Sequence, residues 1–157
     1  MPGIHYLLAP GEIRIATDRL YHRDHYWILF DSPRPGACRF GLSAYVCRAG
    51  IEVYFVENLA QPGEEVAEGG LLGVVETEKA VVPIHSPLSC RVLAVNSAVL
   101  QDPNTISFDN YGVWILEVES ASLPKLLSPE EYLQYLQTLP PPQCFPDSRS
   151  YQSGCSD

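Results

Sequence analysis

Short runs of β-branched and aromatic residues recur along the middle of the chain, between residues 25 and 118. In order they read YWILF, ACRFGL, IEVYFVE, LLGVV, AVVPI, CRVLAV and GVWILEV. Clusters of Pro, Gly, Asn and Asp separate them, for example DSPRPG, AQPGEE and QDPN, and such clusters form tight turns. Many short strands joined by turns predict a mainly β domain, either a small sandwich or a barrel.

Two segments have helical patterns instead. In SAYVCRAG, Ser43 is placed to cap a short internal helix and Gly50 to end it. The second segment, 128–139, reads SPEEYLQYLQTL, with Ser128 suited to the N-cap, Pro129 to the first helical position and Glu131 to a capping box. Its apolar stripe predicts a C-terminal helix docked on the β domain. The stripe consists of Tyr132, Leu133 and Leu136.

The chain has 157 residues, a length that suits one domain. The patterns above divide it into three parts. Residues 1–24 are a mixed, turn-rich N-terminal segment, and residues 25–139 form the β domain with its C-terminal helix. Residues 140–157 are rich in proline and serine, which predicts a disordered tail.

Composition and charge exclude several classes of protein. The net charge of −9 opposes nucleic-acid binding, which needs clustered Lys and Arg, and favours basic partner surfaces. We expect no membrane association, because no apolar run approaches the roughly 20 residues of a membrane-spanning helix. The N-terminus lacks the pattern of a signal peptide. The five cysteines contain no C-x-x-C, which argues against a disulfide framework or a metal site and for a reducing, cytoplasmic location.

The segment VVETEKAVV has valines on both sides of a polar centre, which predicts a β-hairpin with Lys79 at its tip. The chain has only one other lysine, Lys125. A surface lysine with no function is the simplest interpretation of such a tip. The alternative is a lysine displayed for acylation, which would convert its charge into a neutral amide. Glu76 and Glu78 favour the charged amine, and this disfavours Schiff-base chemistry, which needs a desolvated one.

The residues around this lysine resemble a known family. GGLLGVVETEKA followed by SPLSCRVLAVN is similar to the lipoyl domain, and more closely to the H protein of the glycine cleavage system. Upstream, YHRDHYWILF resembles the family's Y-x-x-x-HEW, and downstream SPEEYLQYL resembles its S-x-E-x-Y-x-x-Y. The resemblance extends from about Leu20 to Leu136.

The resemblance implies a barrel-sandwich hybrid of two small antiparallel sheets, with lipoate attached by an amide to Lys79. It implies a carrier without catalytic residues, modified by a lipoate ligase or lipoyltransferase. The implied partners are glycine decarboxylase, aminomethyltransferase and dihydrolipoamide dehydrogenase. The residues expected around the lipoyl arm are Glu76, Glu78, Ala80, Asp24, His25 and Tyr26.

Several positions depart from the family pattern. The family's S and E of SHEW, which shelter an aminomethylated arm, correspond to Asp24 and Tyr26 here, and a frequent aspartate is replaced by Pro83. Cys90 replaces the glycine of SP-x-SG, where a reshaped turn and a buried thiol are expected. These departures leave an alternative open: an H-like lipoate-binding protein that carries sulfur for heterodisulfide-reductase-like complexes, or relays lipoate between proteins.

Other classes fit the residues less well. A biotin carrier shares the fold, but its lysine usually lies between methionines, unlike Lys79 between Glu78 and Ala80. An interaction module with an unmodified lysine stays open. An enzyme is disfavoured, because the histidines are scattered and no catalytic triad can be argued from their spacing. His25 and Trp27 match the family, and core packing is the preferred interpretation of both.

Overall fold

A computed structural model describes residues 3–8, 11–30, 34–46, 51–57, 59–120 and 125–139. The strands and helices, in chain order, are β1 (Gly3–Leu8), β2 (Gly11–Ala16), β3 (Leu20–His22), β4 (Tyr26–Leu29), β5 (Ala37–Leu42), β6 (Val53–Glu57), β7 (Glu65–Val66), β8 (Leu71–Thr77), β9 (Val81–His85), β10 (Cys90–Val95), α1 (Ser97–Gln101), α2 (Thr105–Phe108), β11 (Leu116–Glu119) and α3 (Pro129–Thr138). No helix in these ranges is long and apolar enough to cross a membrane.

The larger sheet has six strands in the order β3-β4-β5-β11-β10-β7, and the smaller has three in the order β6-β8-β9. All of their strand pairs are antiparallel. Both sheets contribute to one apolar core, for example Ile28 and Phe40 from the larger sheet and Val75 and Ile84 from the smaller. Two antiparallel sheets around a shared core confirm the predicted barrel-sandwich hybrid.

A second apolar cluster joins the C-terminal helix to the N-terminal part of the chain. The β1–β2 hairpin was not foreseen in the segment 1–24, yet Ile13 and Ile15 of β2 pack in the same cluster as Tyr132 and Leu136 of α3. The rings of Tyr21 and Tyr132 stack with their centroids 4.5 Å apart. The helix therefore docks on β2 and β3, and Ile13, Ile15, Ala16 and Tyr21 of the N-terminal segment share its core.

The C-terminal helix begins as predicted. The Ser128 hydroxyl accepts a hydrogen bond from the Glu131 N–H, and the Glu131 carboxylate accepts one from the Ser128 N–H, so both halves of the capping box are present. These hydrogen bonds hold the pKa of Glu131 below its ordinary value. Tyr132 and Leu136 are buried and Leu133 is half-buried, in agreement with the predicted stripe.

The described internal helices lie outside the segment for which a short helix was predicted. Ala44–Val46 form a turn, and residues 47–50 of the expected helix lie outside the described residues. The helices α1 and α2 form instead between β10 and β11, where the Asn96 side chain caps α1 by accepting from the Ala98 N–H. Residues 140–157, the expected tail, also lie outside the described part of the chain.

Candidate functional site

The predicted hairpin is present, and Lys79 lies in its turn. Strands β8 and β9 pair through Glu76 and Val81, so the residues from Thr77 to Ala80 close the loop. Lys79 is exposed, and its amine makes no hydrogen bond or ion pair with any residue that the structure describes. An amine held in solvent at the end of a hairpin is sterically open to an acylating enzyme.

Thr77 fixes the shape of this turn. Its side chain is buried, and its hydroxyl oxygen accepts hydrogen bonds from the backbone N–H groups of Lys79 (3.1 Å) and Ala80 (3.0 Å). The same hydroxyl lies 3.1 Å from the Ala80 carbonyl, to which the Thr77 N–H also donates at 2.8 Å. The side chain thus replaces backbone partners, as serine and threonine commonly do in turns. The Lys79 backbone is thereby held in place while its side chain stays free.

The two glutamates flanking Lys79 occupy different environments. Glu78 is tied to the residue before β6: its N–H donates to the Glu52 carbonyl at 3.1 Å, and its carboxylate accepts from the Glu52 N–H at 3.0 Å. Glu76 lies on β8 between Phe55 and Val81 and is half-buried. Glu78 therefore anchors the turn to the neighbouring strand, and Glu76 belongs to the surface of the sheet.

Tyr26 connects the larger sheet to the strand that leaves the turn. It is buried in β4, and its hydroxyl accepts a hydrogen bond from the His85 N–H at 2.8 Å and lies 3.4 Å from the Pro83 carbonyl. Burial raises the pKa of Tyr26 to about 12, so the phenol is neutral at physiological pH. Two positions at which the sequence departs from the family pattern, Tyr26 and Pro83, are thus in direct contact.

The contacts of Asp24 and His25 are with residues outside the Lys79 turn. The exposed Asp24 carboxylate lies 3.6 Å from Nδ1 of His22. His25 has a φ of 71°, and its Nδ1 lies 2.8 Å from the Tyr132 hydroxyl on α3. The His25 ring also stacks on Tyr45 at 4.3 Å. These contacts support the packing interpretation of His25. The role of Asp24 and His25 beside the arm stays a prediction.

Trp27 and Cys90 are both buried and contact neighbouring parts of the fold. The Trp27 indole N–H donates to the Asn110 carbonyl at 2.7 Å, and the ring is buried. Cys90 is buried at the start of β10, with its sulfur 3.6 Å from the Ser86 hydroxyl, and burial raises the pKa of its thiol. His25 is the only described non-glycine residue with positive φ, so Cys90 occupies the glycine position of the family pattern without that backbone strain.

Sequence reasoning missed Thr77 and the hydroxyl pair formed by Ser43 and Tyr132. A threonine directly before a polar turn is a recognisable signal for side-chain bonding to the turn backbone. The hydroxyl groups of Ser43 and Tyr132 lie 2.7 Å apart. The two residues are separated by 89 positions in the sequence, so no local sequence pattern indicates their contact. Within the described ranges, no group of three or more His, Cys, Asp or Glu side chains is arranged to hold a metal ion.

Comparison with known proteins gives concordant matches. Residues 19–139 match the family model for the glycine cleavage H-protein. The chain is 30% identical over 129 residues to glycine cleavage system H protein 1 of Caldanaerobacter subterraneus subsp. tengcongensis, covering 80% of this chain and 100% of the relative. It is 35% identical to the glycine cleavage system H protein of Rubrobacter xylanophilus over 124 residues, or 78% of this chain and 95% of the relative.

A solved structure agrees with these sequence matches. The crystal structure of a glycine cleavage system H protein from Mycobacterium marinum superposes with a TM-score of 0.70 at 33% identity. The superposition covers 78% of this chain and 99% of that one.

Proposed function

This chain belongs to the glycine cleavage H-protein family, and we propose that it is a lipoyl carrier modified on Lys79. The observation that carries the proposal is the exposed Lys79 amine, free of described polar partners, on a turn whose backbone Thr77 holds. These residues fit a covalently attached lipoyl group, since an amide needs an accessible amine and a fixed backbone presents it reproducibly. In the attachment step, the neutral amine attacks the activated carboxyl carbon of lipoate, an amide bond forms, and the activating group and a proton leave.

The proposed role is transport of a group between enzymes, without catalysis by the chain itself. Lipoate held by Lys79 would supply a dithiolane suited to carrying an aminomethyl group, and the proposed partners are glycine decarboxylase, aminomethyltransferase and dihydrolipoamide dehydrogenase. The chain's own contribution is to present the arm. Thr77 and Glu78 fix the turn, and Tyr26 fixes the strand that follows it. We place this work in the cytoplasm.

A specific observation favours a second candidate function. Tyr26 and Pro83 stand where the family has carboxylates, and the neutral Tyr26 hydroxyl is engaged by His85 and Pro83. A cationic aminomethyl group is stabilised by a nearby carboxylate, whereas a sulfur cargo or lipoate in transit has no such requirement. The second candidate is therefore an H-like protein that carries sulfur for heterodisulfide-reductase-like complexes or relays lipoate between proteins.

Intact mass of the protein made in lipoate-supplied cells tests the attachment. A lipoyl increment is expected in the wild type and in Lys125→Arg, the matched control at the only other lysine, and is expected to be lost in Lys79→Arg and Lys79→Ala. An unmodified wild type, in the presence of a ligase that modifies another carrier, would refute the carrier proposal. The domain would then be an interaction module.

The cargo is tested separately with the lipoylated protein. It is incubated with glycine decarboxylase, pyridoxal phosphate and glycine, and the mass of the arm is measured. An aminomethylated arm supports the glycine-cleavage role. Its absence, with a glycine cleavage H protein that becomes loaded in parallel, rejects that role and selects the second candidate.

A further inference from the structure

The three-stranded sheet turns one face to the core and the other to solvent. Cross-strand pairing places Phe55, Glu76 and Val81 in one row and Glu57, Val74 and Pro83 in the next. The alternate row of Val56, Val75 and Val82 packs against the core. Because side chains alternate across a strand, the first two rows, together with Leu71 and His85, form what we call the outer face.

The outer face carries large apolar side chains that the described chain leaves in solvent. Phe55 is 52% exposed, Val81 63% and Leu71 52%, and Pro83 is also exposed. Isolated exposed apolar residues are ordinary, but a contiguous group on a regular sheet marks a surface used for association. Phe55 lies across Glu76 from Val81, so these apolar groups belong to one surface.

The charged side chains on this face are acidic, and Lys79 lies at its end. Glu57 and Glu76 lie within it, and Glu78 borders it in the turn. Lys79 is the only Lys or Arg in β6, β8, β9 and the β8–β9 turn, and its amide would be neutral. A complementary partner therefore has an apolar patch flanked by lysine or arginine side chains.

The position of the outer face beside Lys79 indicates which kind of enzyme binds it. An enzyme that acylates the lysine amine has to enclose the turn itself, whereas an enzyme that acts on the far end of the finished arm does not. The outer face begins at Glu76 and Val81, three residues before and two after Lys79. Enclosing the turn from the solvent side brings the acylating enzyme over this face.

We propose that the outer face, centred on Phe55 and Val81 with Glu57 and Glu76, is the docking surface for the ligase that lipoylates Lys79. The inference rests on the proposed function. The aromatic Phe55 provides the main apolar contact, as aromatic side chains do at the centres of interfaces. The carboxylates of Glu57 and Glu76 pair with cationic groups of the ligase and set its orientation.

The test uses the full-length apo protein, a lipoate–protein ligase, ATP and lipoate, with lipoylation followed by intact mass at varied carrier concentration. Phe55→Ala is expected to raise KM about tenfold and to leave kcat unchanged. Phe30→Ala is the matched control, because Phe30 is 42% exposed just after β4 of the larger sheet, and its KM should stay at the wild-type value. Circular dichroism verifies that both variants are folded.

A charge variant covers the case in which Phe55→Ala fails to fold. Glu57→Lys should lower kcat/KM about tenfold at low salt, and the deficit should shrink at about 0.5 M salt, where screening is strong. Glu130→Lys, at an exposed position of α3, makes the same charge change away from the face. If the wild type is lipoylated normally and the folded face variants have the same KM as the wild type, the docking surface is refuted and the proposed function stands. If the wild type itself is not lipoylated, the proposed function is refuted.

Discussion

Replacing Thr77 with valine tests how the turn that displays Lys79 is held. Valine keeps the shape of the side chain but removes the hydroxyl that accepts from the Lys79 and Ala80 N–H groups and faces the Ala80 carbonyl. A net intramolecular hydrogen bond contributes about 1 kcal/mol, and a buried donor that loses its partner costs more. Lys79 is exposed and its N–H can bind water, whereas Ala80 is half-buried.

We therefore expect Thr77→Val to lower the free energy of unfolding by about 1–2 kcal/mol. In a domain of this size, that corresponds to a decrease in Tm of roughly 2–8 °C. We also expect slower lipoylation of Lys79, since the ligase would meet a turn that samples several conformations. Urea unfolding measures the first effect, and initial rates of lipoylation by mass spectrometry measure the second.

Two controls make the result interpretable. Thr77→Ser keeps the hydroxyl and should retain most of the lipoylation rate. Thr138→Val removes a hydroxyl bonded to the Tyr135 carbonyl at the exposed end of α3 and should leave lipoylation unchanged. If Thr77→Val matched the wild type in both stability and rate, or if serine were as impaired as valine, the hydroxyl would not be what holds the turn.

Three further predictions concern stability and reactivity. Ser128→Ala breaks the capping box and should cost about 1 kcal/mol in urea unfolding, and an unchanged midpoint would show that packing alone maintains α3. Burial raises the pKa of Tyr26 from 10.0 to about 12, so its contribution to stability is present below pH 10 and lost as pH rises toward 12. Urea unfolding across this range should show a smaller decrease in Tyr26→Phe, and equal decreases would contradict the assignment. Because Cys90 is buried with a raised thiol pKa, peptide mapping should find it unalkylated by iodoacetamide at about pH 8 until urea is added. Rapid alkylation of the folded protein would show that the thiol is accessible.

The strands and the C-terminal helix were predictable because their signals are local. The run ACRFGL coincides with β5 and CRVLAV with β10, since β-branched and aromatic residues between turn formers favour strands over a few residues. The capping box of α3 lies within four consecutive residues. The internal segment shows the limit of such signals, because Ala44–Val46 form a turn after the expected cap Ser43, whereas the Asn96 side chain caps α1 where no helix was predicted.

The surroundings of the candidate site were less predictable, because they depend on contacts between distant segments. Tyr26 meets Pro83 and His85 only because two sheets close around one core, since the partners are separated by 57 and 59 positions in the sequence. The left-handed backbone of His25 is accompanied by contacts to Tyr132 and Tyr45, which belong to other segments. The resemblance includes His25 among the residues expected around the arm, with packing as the preferred interpretation, and the contact of its ring with Tyr132 of α3 supports the packing.

The sequence by itself determined that Lys79 would lie at the tip of a β-hairpin, since strand propensity and turn chemistry act over a few neighbouring residues. Only the tertiary structure decided what surrounds that tip. Register across three strands brings Phe55, Glu76 and Val81 to one solvent-facing row, and sheet packing sets Tyr26 against the outgoing strand. The physical reason is that pairing between strands far apart in the chain is settled by burial of the whole core, which no short segment encodes.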